Sequence, residues 1–172
     1  MSNRNVKVFR VSFISFMFLL TGIMFAACSN TEAGDLNEGR FTVGSMSYDD
    51  FPPDNSYFLV VPIEWTGSQP AVIDSIKIVI GDAEIPDTEG ISYEFYGGRP
   101  NKAIGVYPED TIGGKQNIQG YEVKEEGRLI LKVKLSNVNK NTNRQLKIHY
   151  SVNGKNREQT ISTSTVEELS TK

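Results

Sequence analysis

From residue 57 onward apolar side chains recur at every second position, the period of a half-buried strand. In residues 57–66, YFLVVPIEWT, the side chains of Tyr57, Leu59, Val61, Ile63 and Trp65 share one face. Pro62 lacks an amide donor and argues for an edge strand or a bulge. A turn at 66–70 leads to a second strand, 72–80, with Ile76, Ile78 and Ile80 aligned. Residues 91–96 and 102–107 read as short strands around Gly97-Gly98-Arg99-Pro100. The plainest strand is 128–136, RLILKVKLS, with Leu129, Leu131, Val133 and Leu135 on one face and Arg128, Lys132 and Lys134 on the other. Residues 144–152 align Leu146, Ile148, Tyr150 and Val152, and Asn153-Gly154 then supplies the positive φ angles of a two-residue hairpin. The returning strand, 155–163, is polar apart from Ile161, a composition suited to a sheet edge. About seven to eight short strands with turn signals and no amphipathic helix predict an all-β, antiparallel sandwich over residues 39–165. The segment 166–172 loses the alternation and is expected to fray.

The first 38 residues follow another pattern. Residues 1–10 carry Arg4, Lys7 and Arg10 and no acid, whereas 11–27 carry no charge and are rich in Phe, Ile, Leu and Met. A cationic stretch before an apolar run is the form of an export signal. An apolar run of about 17 residues can also just span a bilayer as an uncleaved helix. The run ends on Ala26-Ala27-Cys28, and Cys28 is the only cysteine of the 172 residues. A buried free thiol would not explain its place between two alanines and a polar stretch. Phe25-Ala26-Ala27-Cys28 resembles the lipobox of bacterial lipoproteins, with Phe25 where that family usually has Leu. The resemblance implies that residues 1–27 are a signal peptide forming a helix, cut between Ala27 and Cys28. It also implies a diacylglycerol on the Cys28 thiol and a location on the extracytoplasmic face of the cell membrane. Ser29 follows the cysteine in place of the aspartate that retains Gram-negative lipoproteins at the inner membrane, so in a two-membrane cell the resemblance implies the outer one.

Charge and cysteine content narrow the picture further. Loss of Arg4, Lys7 and Arg10 from the 18 basic residues leaves 15 against 21 acidic ones, a net charge of about −6, which disfavours nucleic acid as a partner. With no second cysteine there is no disulfide, so an apolar core must hold the exported part together. Residues 28–38 comprise the lipidated cysteine and a polar linker, SNTEAGDLNE, of about ten residues that reaches no more than ~35 Å. The sandwich region is similar to the immunoglobulin-like domains of bacterial surface lipoproteins, in FLVVPIEWTG at 58–67 and LKIHYSVNGK at 146–155. It departs from antibody domains in lacking their inter-sheet cysteine pair and tryptophan. That likeness implies a fold and no activity.

Catalytic chemistry finds little support. The single histidine, His149, lies opposite the core face and across the hairpin from Glu158, the arrangement of a surface cross-strand pair. No Gly-x-Ser-x-Gly elbow is present, and one histidine cannot build a structural zinc site. The acids of GDAEIPDTEG (Asp82, Glu84, Asp87, Glu89) and of YDDFPPDN (Asp49, Asp50, Asp54) lack EF-hand spacing and read as solvated loops. Gly113-Gly114-Lys115 lacks the upstream glycine of a phosphate loop and reads as a turn. Neither enzymatic activity nor a metal or other cofactor is expected. Binding has more to stand on: Tyr93, Phe95, Tyr96, Arg99 and Tyr107 gather around Gly97-Gly98, with Tyr96, Arg99 and Tyr107 as candidate contacts for a sugar or a protein. Tyr48, Phe51, Pro52 and Pro53 form a second aromatic loop. The expected role is therefore a lipid-anchored, non-catalytic module engaging a cell-envelope protein, with a small-ligand or glycan site around Tyr93–Tyr107 as the alternative.

Overall fold

Alternating burial sets the strands. The computed structural model describes residues 39–108 and 111–172. The signal peptide, its cleavage position at Ala27, Cys28 and the linker lie outside the described residues. Eleven strands are formed among those described: β1 (Phe41–Val43), β2 (Ser56–Trp65), β3 (Ala71–Ile80), β4 (Ala83–Glu84), β5 (Ile91–Gly98), β6 (Gly105–Pro108), β7 (Lys115–Asn117), β8 (Tyr121–Val123), β9 (Glu126–Leu135), β10 (Arg144–Val152) and β11 (Lys155–Ser162). A short helix, α1 (Ser164–Glu167), follows. Seven strands lie where the sequence predicts them, except that β5 runs on through Gly97-Gly98 and β6 begins at Gly105 instead of residue 102. The other four, β1, β4, β7 and β8, are two or three residues long, too short to display a period.

All strand pairs are antiparallel and fall in two sheets. One runs β1-β2-β9-β5-β7, with β6 also on β2; the other runs β11-β10-β3-β4, with β8 also on β3. An immunoglobulin sandwich orders its sheets A-B-E-D and C-F-G. Taking β1, β2, β3, β5, β9, β10 and β11 as strands A to G reproduces both orders. The fold is an immunoglobulin-like β-sandwich. Among the described residues no helix is long and apolar enough to cross a membrane.

Leu59, Val61 and Ile63 of β2, Leu129, Leu131, Val133 and Leu135 of β9, and Leu146 and Ile148 of β10 meet between the sheets, all almost fully buried. Phe41, Trp65 and Tyr150 tie the two sheets together at one end, with ring centroids 4.8–5.4 Å apart. Strand β3 reaches the core in two phases: Ala71 and Ile73 point inward, then Ile76 and Ile78. The pairing with β10 steps from Ile73 opposite Tyr150 to Ser75 opposite His149, so a bulge resets which face is buried.

Two expectations change. Pro62 lies in an interior strand, flanked by β9 on one side. Its carbonyl accepts from Gly44 N, and its nitrogen faces the same side, into the gap where β1 ends and β6 begins. No ladder bond is required there, so the missing donor costs nothing. The C-terminal segment is docked, not frayed. Val166 and Leu169 are fully buried, and Thr163, Thr165 and Ser170 are nearly so. Their polar groups bond the coil at 44–51: Thr165 Oγ1 donates to Gly44 O, Ser164 Oγ to Met46 O, Tyr48 Oη to Thr165 O, and Phe51 N to Ser170 O. Two apolar residues three apart in a polar tail leave no alternation to read.

Candidate functional site

The outer face of the β2–β9–β5 sheet is itself partly apolar. Phe58, Val60 and Ile130 are fully buried there beneath Tyr96, Tyr107 and Ile112. Lys115 Nζ sits 4.4 Å from the centroid of Phe58 and 5.4 Å from that of Tyr96, and Lys102 Nζ is 5.6 Å from that of Tyr107. Tyr107 Oη donates to Ala103 O at 3.1 Å. Of the candidate binding residues, Tyr96 and Tyr107 therefore form a covering layer with their rings engaged, while Arg99 is exposed. Tyr93 and Phe95 pack together at 5.6 Å, Phe95 in the core. The second aromatic loop is also packing: Phe51 is buried between Tyr48 and Tyr57, at 4.8 Å from each.

One long side of the sandwich has two different halves. In the first, Tyr93 of β5 spans the sheets: its hydroxyl donates to Glu84 at 2.7 Å and accepts from Ile78 N at 3.3 Å, and Lys77 holds Glu84 at 2.6 Å. Burial, and then the Glu84 carboxylate, push the Tyr93 hydroxyl well above the usual phenol range; the hydrogen bond from Lys77, then that from Tyr93, hold Glu84 below the usual carboxylate range. In the second half the sheets end in β7 and β8, and a cleft of about 520 Å³ opens between them. Its floor is Tyr121, whose ring lies directly on Gly97; a Cβ at Gly97 would come within 2.3 Å of that ring. The Gly-Gly pair is thus a packing platform at the end of a strand, not a flexible hinge.

Two glycines form one corner of this cleft. Gly98 (φ 146°) and Gly114 (φ 70°) adopt positive φ, and a Cβ on either would lie within 2.6 Å of a neighbouring carbonyl oxygen. Arg99 N donates to Gly114 O at 3.2 Å, which sets the corner. A second depression of about 430 Å³ adjoins the first, sharing Gly98, Arg99 and Glu126. Four cations line the pair: Arg99, Lys102, Lys124 and Arg128. Lys124 has Glu122 at 3.4 Å and Arg128 has Glu126 at 2.8 Å. Arg99 and Lys102 have no acidic partner among the described residues. Sequence reasoning singled out Arg99 but missed Gln116, Tyr121 and Lys124, which arrive from β7, β8 and the turn after β8. No local signal marks them, because β7 and β8 are three residues each, too short to show a period.

The other chemistries resolve into pairs. His149 stands opposite Glu158 in the hairpin register, with Nδ1 3.8 Å from its carboxylate. Lys147 lies 3.6 Å from both Glu158 and Asp82. Glu89 reaches Arg144 at 3.5 Å, and Asp50 accepts from Ser170 Oγ. Among the described residues no group of three or more His, Cys, Asp and Glu converges to hold a metal ion. Asn153 (φ 51°) and Gly154 (φ 75°) form the expected hairpin turn.

No protein-family profile matches the chain, and no curated protein matches it. Among solved structures, the GAE domain of yeast GGA1 is similar over 76 % of this chain and 94 % of that one, at 12 % sequence identity and a TM-score of 0.34. The fold assignment rests on the strand order itself.

Proposed function

We propose that the protein is a lipid-anchored, non-catalytic interaction module on the extracytoplasmic face of a bacterial membrane. The observation that carries this reading is Cys28, a lone cysteine placed directly after Ala26-Ala27 at the end of an uncharged run. Two acyl chains on Cys28 supply the double signal that stable membrane attachment needs. A linker of about ten residues then holds the sandwich within ~35 Å of the bilayer, within reach of an envelope protein. The pairing of His149 with Glu158 and the dispersal of the acids onto lysine, arginine and serine partners support a binding role over a catalytic one.

The test is membrane fractionation with mass measurement of the mature chain in a bacterial host. The parent is expected in the membrane fraction, beginning at Cys28 and carrying the added mass of the lipid. Cys28→Ala is expected to lose that mass and keep the 1–27 segment. A Cys28→Ala chain processed and lipidated like the parent would sink the reading.

A further inference from the structure

Charge is divided unequally between the two ends of the sandwich. The strand registers bring the pieces of one end together: Phe41 stands opposite Trp65, Ala71 opposite both Val152 and Val123, and Gly98 opposite Arg128, which is itself opposite Pro62. The start of the domain at Gly39, the turn at 66–70, the loop at 99–104, the turn at 124–125 and the hairpin turn at 153–154 therefore share this end. It carries Arg40, Arg99, Lys102, Lys124, Arg128 and Lys155 against Glu64, Glu122, Glu125 and Glu126. Glu122 is held by Lys124 at 3.4 Å and Glu126 by Arg128 at 2.8 Å, whereas Arg40, Arg99, Lys102 and Lys155 have no acidic partner among the described residues. The opposite end reverses the balance. Besides the acids paired with Lys77, Arg144 and Lys147, its loops and tail carry Asp49, Asp50, Asp54, Asp87, Glu167 and Glu168 against Lys140 and Lys172. The loop at 99–104 also holds Ile104, 52 % exposed and the one large apolar side chain so exposed among the described residues.

We infer that this end rests on an anionic lipid surface, the one to which the chain is tethered, with Arg40, Arg99, Lys102 and Lys155 at the headgroups and Ile104 entering the interface. The inference deepens the anchored-module reading and rests on it. Three observations select a lipid surface as the occupant. The linker at 29–38 joins the fold here, at Gly39 beside Gly67 and Trp65, so a tether of ~35 Å at most holds this end nearest its anchor. Unpaired cations near an anionic surface each add to the attraction, while the acidic opposite end is repelled, so one orientation is favoured over the reverse. An apolar side chain among cations combines the two contributions, apolar burial and charge, that hold a peripheral element at a bilayer. A protein docking here would find that one apolar side chain and no exposed aromatic ring to anchor on among the described residues. The acidic end then points away from the membrane.

The experiment places the full chain in vesicles with a fluorophore on a single added cysteine, at Ala103→Cys beside Ile104 or at Thr88→Cys near the opposite end. Spin-labelled lipid chains in the same vesicles quench a fluorophore that reaches the interface. In phosphatidylglycerol vesicles quenching is expected at 103 and not at 88. It is expected to fall at least ~3-fold in phosphatidylcholine vesicles, and as far in phosphatidylglycerol for Arg99→Glu/Lys102→Glu. Circular dichroism shows whether that variant is folded, and Arg40→Glu/Lys155→Glu, at two exposed positions, is a second variant with the same expected loss. Equal quenching at 103 and 88, or none at 103, overturns the contact. Quenching at 103 that is unchanged in phosphatidylcholine or in both folded variants overturns its dependence on charge. A protein crosslinked from position 103 in cells, with no lipid quenching there, makes this end a protein interface and overturns the proposal too. The mass of the chain separates these failures from failure of the anchored-module reading. A chain without lipid on Cys28 removes that reading, and the comparison of 103 with 88, repeated on Cys28→Ala held by its uncleaved apolar run, still decides the contact.

Discussion

Gly97 shows how one hydrogen can decide a local structure. Tyr121 crosses from β8 to lie on the Gly97 backbone, and Gly127 leaves room for its hydroxyl, which a Cβ there would approach to 2.4 Å. Gly97 has no positive φ, so Gly97→Ala meets no backbone penalty and isolates the packing cost. Alanine would even stiffen the unfolded chain to the folded state's benefit, by roughly 0.4–1 kcal/mol. The 2.3 Å clash outweighs that gain, because Tyr121 is held by β8 on β3 and cannot retreat. Gly97→Ala is expected to destabilise by about 1–3 kcal/mol in urea unfolding, and Gly113→Ala, whose Cβ would meet nothing closer than 3.9 Å, by under about 0.5 kcal/mol. Matching losses for the two would refute the packing account. In the sequence Gly97-Gly98 is only a glycine pair among candidate binding aromatics. A glycine required by a ring arriving from 24 residues downstream carries no local mark of that requirement. The His149–Glu158 pairing, by contrast, was legible, because Asn153-Gly154 fixes the hairpin register by itself.

Among the elements, the strands buried on one face were readable and those doing other work were not. Strand β2 is apolar on both faces because Phe58 and Val60 lie under Tyr96, Tyr107 and Ile112, a cover that the alternation of β2 cannot announce. β4 is too short to read, yet with β5 it forms the Tyr93–Glu84 closure, and this element has a pH signature. Its tyrosine ionises later in the folded chain than in the unfolded one, since burial, then Glu84, disfavours the phenolate. The folded state therefore keeps a proton that the unfolded chain releases above its own pKa of about 10. The stabilisation is complete below that pH and is lost progressively above it, toward the raised pKa of the folded state. Tyr48, raised first by burial and then by Glu168, acts in the same direction. The urea midpoint of the parent is expected to fall between about pH 9 and about pH 11, and that of Tyr93→Phe to fall less steeply from a lower start. A parallel decline in both would show that Tyr93 does not hold its proton in the fold.

At the scale of the molecule, the fold class followed from strand count and period, while its closure at the C-terminus did not. The last nine residues run back across the open end of the sandwich, and Arg144, only 1 % exposed, is what they close over. Arg144 Nη1 donates to Leu169 O at 2.9 Å and Nη2 to Asn139 O at 2.8 Å, with Glu89 3.5 Å away; Nε has no hydrogen-bond partner. Burial works against its charge, lowering its pKa, and the nearby Glu89 opposes that shift. A chain ending at Thr163 would expose the places of Val166 and Leu169, each worth about 1.5–3 kcal/mol, against a total stability of about 5–15 kcal/mol for a domain. It would also strip the guanidinium of the Leu169 carbonyl. A buried charge that loses one of its partners costs more than an apolar side chain of similar length. Two results are therefore expected from thermal melts. The truncation lowers the midpoint steeply, and Arg144→Met raises it again in the truncated chain while lowering it in the full one. Should that truncation abolish folding, a chain ending at Glu168, which keeps Val166 but still lacks the Leu169 carbonyl, serves as the milder background. The sign reversal is the decisive feature. Were Arg144→Met to lower the midpoint equally in both backgrounds, the tail would be packed beside Arg144 without partnering it, and the closure would rest on Val166 and Leu169 alone.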